Sequence, residues 1–267
     1  MSKLEIKSLK KAKRKGFYEV ETTNGKYVLS ENIIVSNGII NNALFEEGYF
    51  EEILKKNEDE KIIFSVYNYI TFKMRSEKEI KDYLEGKGAN TVLVNKCIND
   101  LKNLGYINDY ELAKSLMNYI INNHKGPKAL QIKLKEKGID DKIIDDVCSL
   151  YTSSKQEEVI NIIMDSLINK YQNEPVKKQK QKIQEKLIRD GFSSSIVFSI
   201  VSSLNLTFNN QDKLEKDALK IKDTLNSFKY KDCNKYEIKN KFINKLLLKG
   251  YEYKDINNYL YLLDDEK

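Results

Sequence analysis

The chain has 267 residues, of which 40% are hydrophobic and 32% charged, a composition typical of a water-soluble, largely helical protein. No apolar run has the length of a membrane span, and the N-terminal segment lacks the apolar core of a secretory signal, so we expect a cytoplasmic protein. The net charge of +6 permits an acidic partner without requiring one, and 43 lysines against 3 arginines argue against bidentate arginine readout of DNA bases.

The N-terminal region, residues 1–58, has the pattern of a small β-structure followed by short helices. Two β-rich runs flank Asn24-Gly25, which is a strong hairpin signal. A two-residue turn at this dipeptide would place Thr22 opposite Tyr27. In chain order, the predicted elements are a strand containing Leu4 and Ile6, strands at residues 17–23 and 26–30, and short helices around residues 33–39 and 46–55.

From residue 60 onward the hydrophobic pattern becomes helical, and one glycine recurs with spacings of 50, 53 and 59 residues. A leucine precedes each glycine by four residues, and apolar residues recur six and ten residues after it. Each glycine therefore ends a middle helix and is followed by a third helix. The glycines are Gly88, Gly138, Gly191 and Gly250, and the leucines are Leu84, Leu134, Leu187 and Leu246.

A longer first helix is predicted before each middle helix, so the pattern consists of four helical triplets. One triplet is too small to bury its own apolar face, so neighbouring triplets must stack. We predict a mainly α fold in which four tandem three-helix repeats form an elongated curved stack behind the N-terminal β-region. The predicted first helices are residues 60–74, 109–122, 155–171 and 212–225, and the predicted domains are 1–58, 59–106, 107–152, 153–208 and 209–267.

The sequence contains no constellation that predicts catalysis or metal binding. His124 is the only histidine, and no phosphate-binding loop, dinucleotide fingerprint or zinc-protease motif occurs. The three cysteines are far apart, without metal-ligand spacing, and we expect Cys97 and Cys148, which fall on apolar helical stripes, to be small buried hydrophobes. We therefore expect a protein that is not an enzyme, with no catalytic residue, metal or cofactor. The cysteines are Cys97, Cys148 and Cys233.

Basic residues cluster near the predicted starts of the middle helices. Arg75, Lys125 and Lys178 each lie thirteen residues before the repeated glycine, whereas Glu237 breaks this pattern in the fourth repeat. A cation gains nothing from the helix dipole at a helix N-terminus, so we expect Arg75 to contact a partner rather than to stabilise the fold. The alternative is a solvated helical face. The candidate partner-binding residues are Lys73, Arg75, Lys78, Lys81, Lys125, Lys128, Lys177, Lys178, Lys180 and Lys182.

Three short motifs occur in order within the first two predicted repeats. They are Arg75-Ser76-Glu77-Lys78-Glu79 with Leu84 and Gly88; Leu101, Gly105-Tyr106-Ile107-Asn108-Asp109 and Ala113; and Lys125-Gly126-Pro127, Leu134 and Lys137-Gly138-Ile139. This arrangement resembles the RecX family of recombination regulators, most strongly over residues 60–150. The later repeats and the N-terminal hairpin are more weakly similar to the longer members.

The resemblance implies a regulator that binds the RecA recombinase filament on DNA, lies along its groove, and restrains its ATP hydrolysis, strand exchange and coprotease activity. An elongated stack of repeats suits this role because it can contact several protomers of a helical polymer. On this basis we expect a monomer that contacts RecA, with DNA as a further contact of the basic surface, and no membrane partner.

Two other classes of protein fit the helical repeats, namely a tandem three-helix DNA-binding protein and a helical scaffold for another protein. A DNA binder requires a common set of base-reading polar residues on one exposed helix per repeat. The third helices begin TVLVNK, DKIIDD, SSIVFS and YKDINN, which share no such set. The residues do not decide against a scaffold. One group of aromatic residues is interpreted as packing in the core and at interfaces rather than as base stacking, namely Tyr67, Tyr69, Phe72 and Tyr83.

Overall fold

The structure, a computed structural model, describes residues 2–208, 210–225 and 234–265. By its internal contacts the chain divides into two compact units. Unit 1 comprises the described residues up to Ala113 together with Lys135–Ile143, and unit 2 comprises Lys114–Leu134 together with the described residues from Ile144 onward.

The strands are β1 (Lys3–Lys11), β2 (Phe17–Thr22), β3 (Gly25–Ser30) and β4 (Leu44–Glu46). The helices are α1 (Glu31–Ser36), α2 (Glu47–Thr71), α3 (Glu77–Gly86), α4 (Thr91–Asn103), α5 (Asp109–Asn122), α6 (Pro127–Glu136), α7 (Asp141–Leu150), α8 (Ser153–Tyr171), α9 (Val176–Arg189), α10 (Ser194–Ser203), α11 (Gln211–Leu225), α12 (Lys235–Leu248) and α13 (Tyr253–Asp265).

The N-terminal strands form one antiparallel sheet with the strand order β3-β2-β1-β4. Apolar residues alternate along the strands, so Leu4, Ile6 and Val20 lie together in a buried cluster that Phe50 and Ile53 of α2 complete. The predicted third strand is confirmed as β1. Strand β4 was not predicted, because three residues are too few to show a period of two.

The hairpin between β2 and β3 is confirmed, but its predicted register is wrong. Thr22 pairs with Gly25 rather than with Tyr27, so the turn lies at Thr23-Asn24, one residue earlier than predicted. The Thr22 side chain accounts for the shift, because its Oγ1 accepts hydrogen bonds from the backbone N–H groups of Asn24 and Gly25, both at 3.1 Å. The pairing moves by two residues, so each side chain keeps its predicted face of the sheet.

Helix α2 is continuous, although two separate helices are predicted over the same part of the sequence. The predicted domain boundary between residues 58 and 59 therefore falls inside α2. Asn57 explains the continuity, since its buried side chain is bonded to the sheet: Nδ2 donates to the Val28 carbonyl oxygen at 2.9 Å, and Oδ1 accepts from the Ser30 N–H at 2.8 Å. The polar segment around Asn57 thus packs on the sheet rather than forming a linker. The other domain limits stay predictions.

After α2 every regular element in the described residues is a helix, and no described residue beyond Glu46 lies in a strand. The prediction of a mainly α fold behind a small N-terminal β-region is confirmed. The predicted breaks are confirmed as well, because each of the four repeated glycines has a positive φ, at 86°, 67°, 93° and 96° in chain order. The leucine four residues before each glycine is fully buried. The middle helices are α3, α6, α9 and α12.

Candidate partner-binding surface

The start of a middle helix packs on the glycine turn of the triplet that follows it, and we call this contact a junction. The junction in unit 1 joins the start of α3 to the turn after α6. The Ser76 hydroxyl donates to the Lys137 carbonyl oxygen at 2.7 Å. The Lys78 side chain lies directly over Gly138, where no methyl group would fit, since a Cβ at this position would be 2.1 Å from the Lys78 Cδ.

Unit 2 contains two further junctions of the same kind. At the first, the N–H groups of Gly126 and Lys128 donate to the carbonyl oxygens of Asp190 (2.9 Å) and Gly191 (3.0 Å). At the second, the Lys177 N–H donates to the Gly250 carbonyl oxygen at 3.3 Å. One N–H group in the first turn of α6 and one in the first turn of α9 are thus satisfied by a carbonyl of the next triplet.

A lysine is the second residue of the middle helix at all three junctions. We call Lys78, Lys128 and Lys177 the junction lysines; each is exposed. None of them forms an ion pair with any residue in the described ranges 2–208, 210–225 and 234–265. A cation in the first turn opposes the helix dipole, so the fold does not account for the positive charge at these three positions, although the aliphatic part of Lys78 covers Gly138. A negatively charged surface on a partner does account for them.

Apart from Arg75, the other candidate residues divide into two groups. Four have partners within the molecule: Lys81 approaches Glu85 (4.0 Å), Lys125 pairs with Asp190 (2.5 Å), Lys182 pairs with Glu174 (2.6 Å), and Lys180 donates to the Ser202 carbonyl oxygen (3.0 Å). Lys73 and Lys178 are exposed and have no ion pair with a described residue. Partner binding by any of these side chains stays a prediction.

The junction lysines share a position that the sequence pattern did not show. Helices α3 and α6 begin eleven residues before their glycines, whereas α9 begins fifteen residues before Gly191. Counting back from the glycine therefore groups Lys178 with Arg75 and Lys125, although their surroundings differ. The signal that could have found the correct register is Pro175, since a proline marks the first turn of a helix.

Arg75 lies inside unit 1, contrary to the expectation that it contacts only a partner. Its guanidinium carbon is 3.9 Å from the centroid of the Tyr69 ring, and its side chain is 16% exposed. Its Nη1 lies 3.6 Å from Oε1 of Glu79, an oxygen that also accepts a 2.6 Å bond from Lys137. Burial raises the pKa of Glu79, but hydrogen bonds from Lys137 and the Ser76 amide outweigh it and hold the pKa below its usual value.

We expect Arg75→Ala to lower the free energy of unfolding by about 1–2 kcal/mol, because it removes a partly buried cation–π contact and one partner of Glu79. Lys73→Ala is the matched control, since Lys73 is exposed on the same loop, and its loss should change stability by less than about 0.5 kcal/mol. Urea unfolding of both variants measures the difference. Equal stabilities would show that Arg75 does not hold the loop.

A second buried charge cluster supports the first junction of unit 2. The carboxylate of Asp190 accepts from Lys125 and Lys186, and its backbone carbonyl accepts from Gly126. Burial raises the pKa of Asp190, but the two lysines more than offset it and hold the pKa below the usual range. This carboxylate is therefore ionised at neutral pH and fixes the turn that covers the start of α6.

The described residues contain no group of three or more His, Cys, Asp and Glu side chains placed to hold a metal ion. No helix in this part of the chain is long and apolar enough to cross a membrane. Cys97 is buried in an apolar cluster and Cys148 is half-buried, whereas Cys233 lies outside the described residues. The aromatic residues of α2 and α3 pack in pairs, Tyr69 on Tyr83 and Tyr67 on Tyr106. Phe72, in the loop between these helices, is exposed, so it is not a core residue, and its packing at an interface stays a prediction.

Comparison with known proteins gives consistent matches. A family model described as the second three-helix domain of RecX matches residues 108–147. Regulatory protein RecX of Streptococcus agalactiae serotype V is 31% identical over 266 residues, covering 96% of this chain and 98% of that protein. Regulatory protein RecX of Limosilactobacillus reuteri is 25% identical over 260 residues, with coverages of 96% and 97%.

Two solved structures are similar as well. The crystal structure of a regulatory protein RecX superposes with a TM-score of 0.61 at 25% identity, covering 75% of this chain and 100% of that one. The crystal structure of RecX from Lactobacillus salivarius gives a TM-score of 0.54 at 31% identity, covering 57% and 99%.

Fold, junctions and exposed lysines together define a protein built from three-helix repeats behind a small N-terminal sheet. The similarity to regulatory protein RecX of two organisms extends over nearly the whole chain. The chain belongs to the RecX family of regulatory proteins.

Proposed function

We propose that this protein is a non-enzymatic regulator that binds the RecA recombinase filament on DNA. Bound to the filament, it modulates, and mainly inhibits, ATP hydrolysis, strand exchange and coprotease activity during recombinational DNA repair and the SOS response. The observation that carries the proposal is membership of the RecX family, with 31% identity to a regulatory protein RecX over almost the full length of both chains.

The positions of the junction lysines in the structure also support this proposal. Lys78, Lys128 and Lys177 occupy one structural position, although they belong to three different repeats. A polymer offers the same acidic surface many times, so a repeated cation is the natural complement of a repeating partner. We therefore propose that the junction lysines are the principal contacts with the filament and that Lys73 and Lys178 are additional contacts. The division of the helical region into four repeats is also part of the proposal.

The test is to add the full chain to RecA filaments assembled on single-stranded DNA and to follow ATP hydrolysis and binding together. We expect the protein to bind the filament and to lower the hydrolysis rate as its concentration rises. Filaments without the protein give the reference rate. Failure to bind the filament, or binding without any change in hydrolysis or strand exchange, would contradict the proposal.

A titration of bare DNA in the same buffer separates this function from that of a DNA-binding protein. A protein that binds DNA through phosphates loses affinity steeply as salt rises. A filament-binding protein depends more on the presence of RecA than on DNA alone. Tight binding to bare DNA at physiological salt, with no effect of RecA, would favour the DNA-binding alternative.

A further inference from the structure

The loop between α2 and α3 exposes two large apolar side chains. Phe72 is 87% exposed, the highest exposed fraction of any large hydrophobic residue in the part of the chain that the structure describes, and Met74 is 49% exposed. By contrast, each aromatic residue within α2 packs on another ring. Exposure of this apolar area to water is energetically unfavourable, and nothing in the fold requires it at this loop.

The loop is held in place on both sides of these residues. Phe72 follows the last turn of α2, and Arg75 is fixed by the Tyr69 ring and by Glu79. The next residue, Ser76, caps α3 and also donates to the turn after α6. A side chain presented by an ordered loop loses little conformational freedom when it binds, and such residues dominate the binding energy of protein interfaces.

Positive charge flanks the two apolar side chains. Lys73 and Lys78 are exposed and form no ion pair with a described residue. The nearby acids are neutralised inside the unit, since Glu77 pairs with Lys102 at 2.6 Å and Glu79 pairs with Lys137 at 2.6 Å. The complementary surface is an apolar pocket with carboxylates on its rim.

Single-stranded nucleic acid fits this loop less well than a protein pocket. Binding of successive bases requires several aromatic faces, but Tyr69 and Tyr83 stack on each other with centroids 4.2 Å apart. Phe72 is therefore an isolated ring, and the neighbouring Met74 has no aromatic face. Two apolar side chains on one short loop suit an apolar pocket better than a stack of bases.

We propose that Phe72 and Met74 are an anchor that inserts into an apolar, acid-rimmed pocket on the protein partner. This inference rests on the proposed function, because it assigns the contact that seats the protein on the RecA filament. Arg75 then acts as a positioning residue that orders the anchor, rather than as a contact residue.

The test compares two variants of the full chain, Phe72→Ala with Met74→Ala together, and Val92→Ala as the control. Val92 lies on α4 of the same unit and is 79% exposed, so its truncation removes apolar surface of similar exposure elsewhere. We expect the double variant to bind RecA filaments about thirtyfold more weakly than the wild type, as for a central interface residue, and to keep its melting temperature. The control should bind within about threefold of the wild type.

A second measurement keeps a large aromatic group at the loop, so it does not depend on truncation. A photoreactive phenylalanine analogue replaces either Phe72 or Val92, and the adducts formed on filaments are identified. Cross-links from position 72 to RecA near acidic residues support the anchor. Cross-links to DNA, or equal RecA adducts from both positions, overturn it.

The outcomes separate the two proposals. If the wild-type chain does not bind the filament, the proposed function fails, and the anchor fails with it. If the wild type binds and the double variant binds equally well, only the anchor is overturned and the proposed function stands.

Discussion

Gly191→Ala is expected to destabilise the protein far more than Gly88→Ala, although both glycines occupy the same place in their repeats. The two have nearly the same backbone conformation, with φ of 93° and 86°. An alanine in this left-handed region costs about 1–2 kcal/mol at either site. The difference must therefore come from what surrounds each glycine.

Gly191 is covered by the start of α6, where a new Cβ would lie 2.7 Å from the Ala129 amide nitrogen. The junction must open to admit the methyl group, which disrupts the hydrogen bonds from Gly126 to Asp190 and from Lys128 to Gly191. Two such bonds and the packing around them add about 2–3 kcal/mol to the cost. Gly88 has no preceding repeat, and a Cβ there meets no atom within 4 Å.

Urea unfolding of both variants measures this difference, and Gly126→Ala repeats the test from the opposite side of the junction. A Cβ on Gly126 would lie 2.3 Å from the Gly191 backbone, and Gly126 is not among the glycines with positive φ, so the loss there reports the junction contact alone. Similar stabilities for the Gly191 and Gly88 variants would mean that the junction can open to admit the methyl group with little loss of stability.

The repeated glycines show which parts of the fold could be predicted from the sequence. Spacing and the buried leucine four residues earlier are local signals, and they predicted the middle helices and their ends. The second reason for glycine at these positions is contact with another repeat, which the pattern alone does not contain. Gly88 and Gly191 look equivalent in sequence, yet only one of them is covered.

Errors arose where a side chain formed a hydrogen bond with the backbone, whether far along the chain or within its own turn. Asn57 lies in a polar segment typical of a linker, but it pairs with sheet residues almost thirty positions earlier, so α2 continues through it. Thr22 moved the hairpin turn by one residue through its hydroxyl group.

Arg75 shows the same limitation for the candidate site. The helix-dipole argument correctly finds no benefit for a cation beside the start of α3. It does not reveal that the Tyr69 ring and the Glu79 carboxylate hold the guanidinium. Helix α9 begins four residues further from its glycine than α3 and α6 do, so the shared lysine position could not be found by counting from the glycine.

Reversal of the three junction lysines should have the largest effect on partner binding. In the combined variant Lys78→Glu, Lys128→Glu and Lys177→Glu, each substitution removes two charge units, so the net charge falls from +6 to 0. We expect affinity for the RecA filament to fall about a hundredfold, because three attractive contacts become repulsive. Stability should be unchanged or slightly higher, since a carboxylate in the first turn of a helix is favoured by its dipole.

The matched control reverses three other exposed lysines that form no ion pair with a described residue, namely Lys96, Lys216 and Lys239. These lie within α4, α11 and α12, away from the junctions, and their reversal gives the same net charge of 0. Filament binding by both variants, measured at physiological salt, separates position from total charge. An equal loss in both would mean that only the overall positive charge matters. A loss confined to the junction variant would place the acidic face of the partner against the starts of the middle helices, a position at which the fold gains nothing from a positive charge.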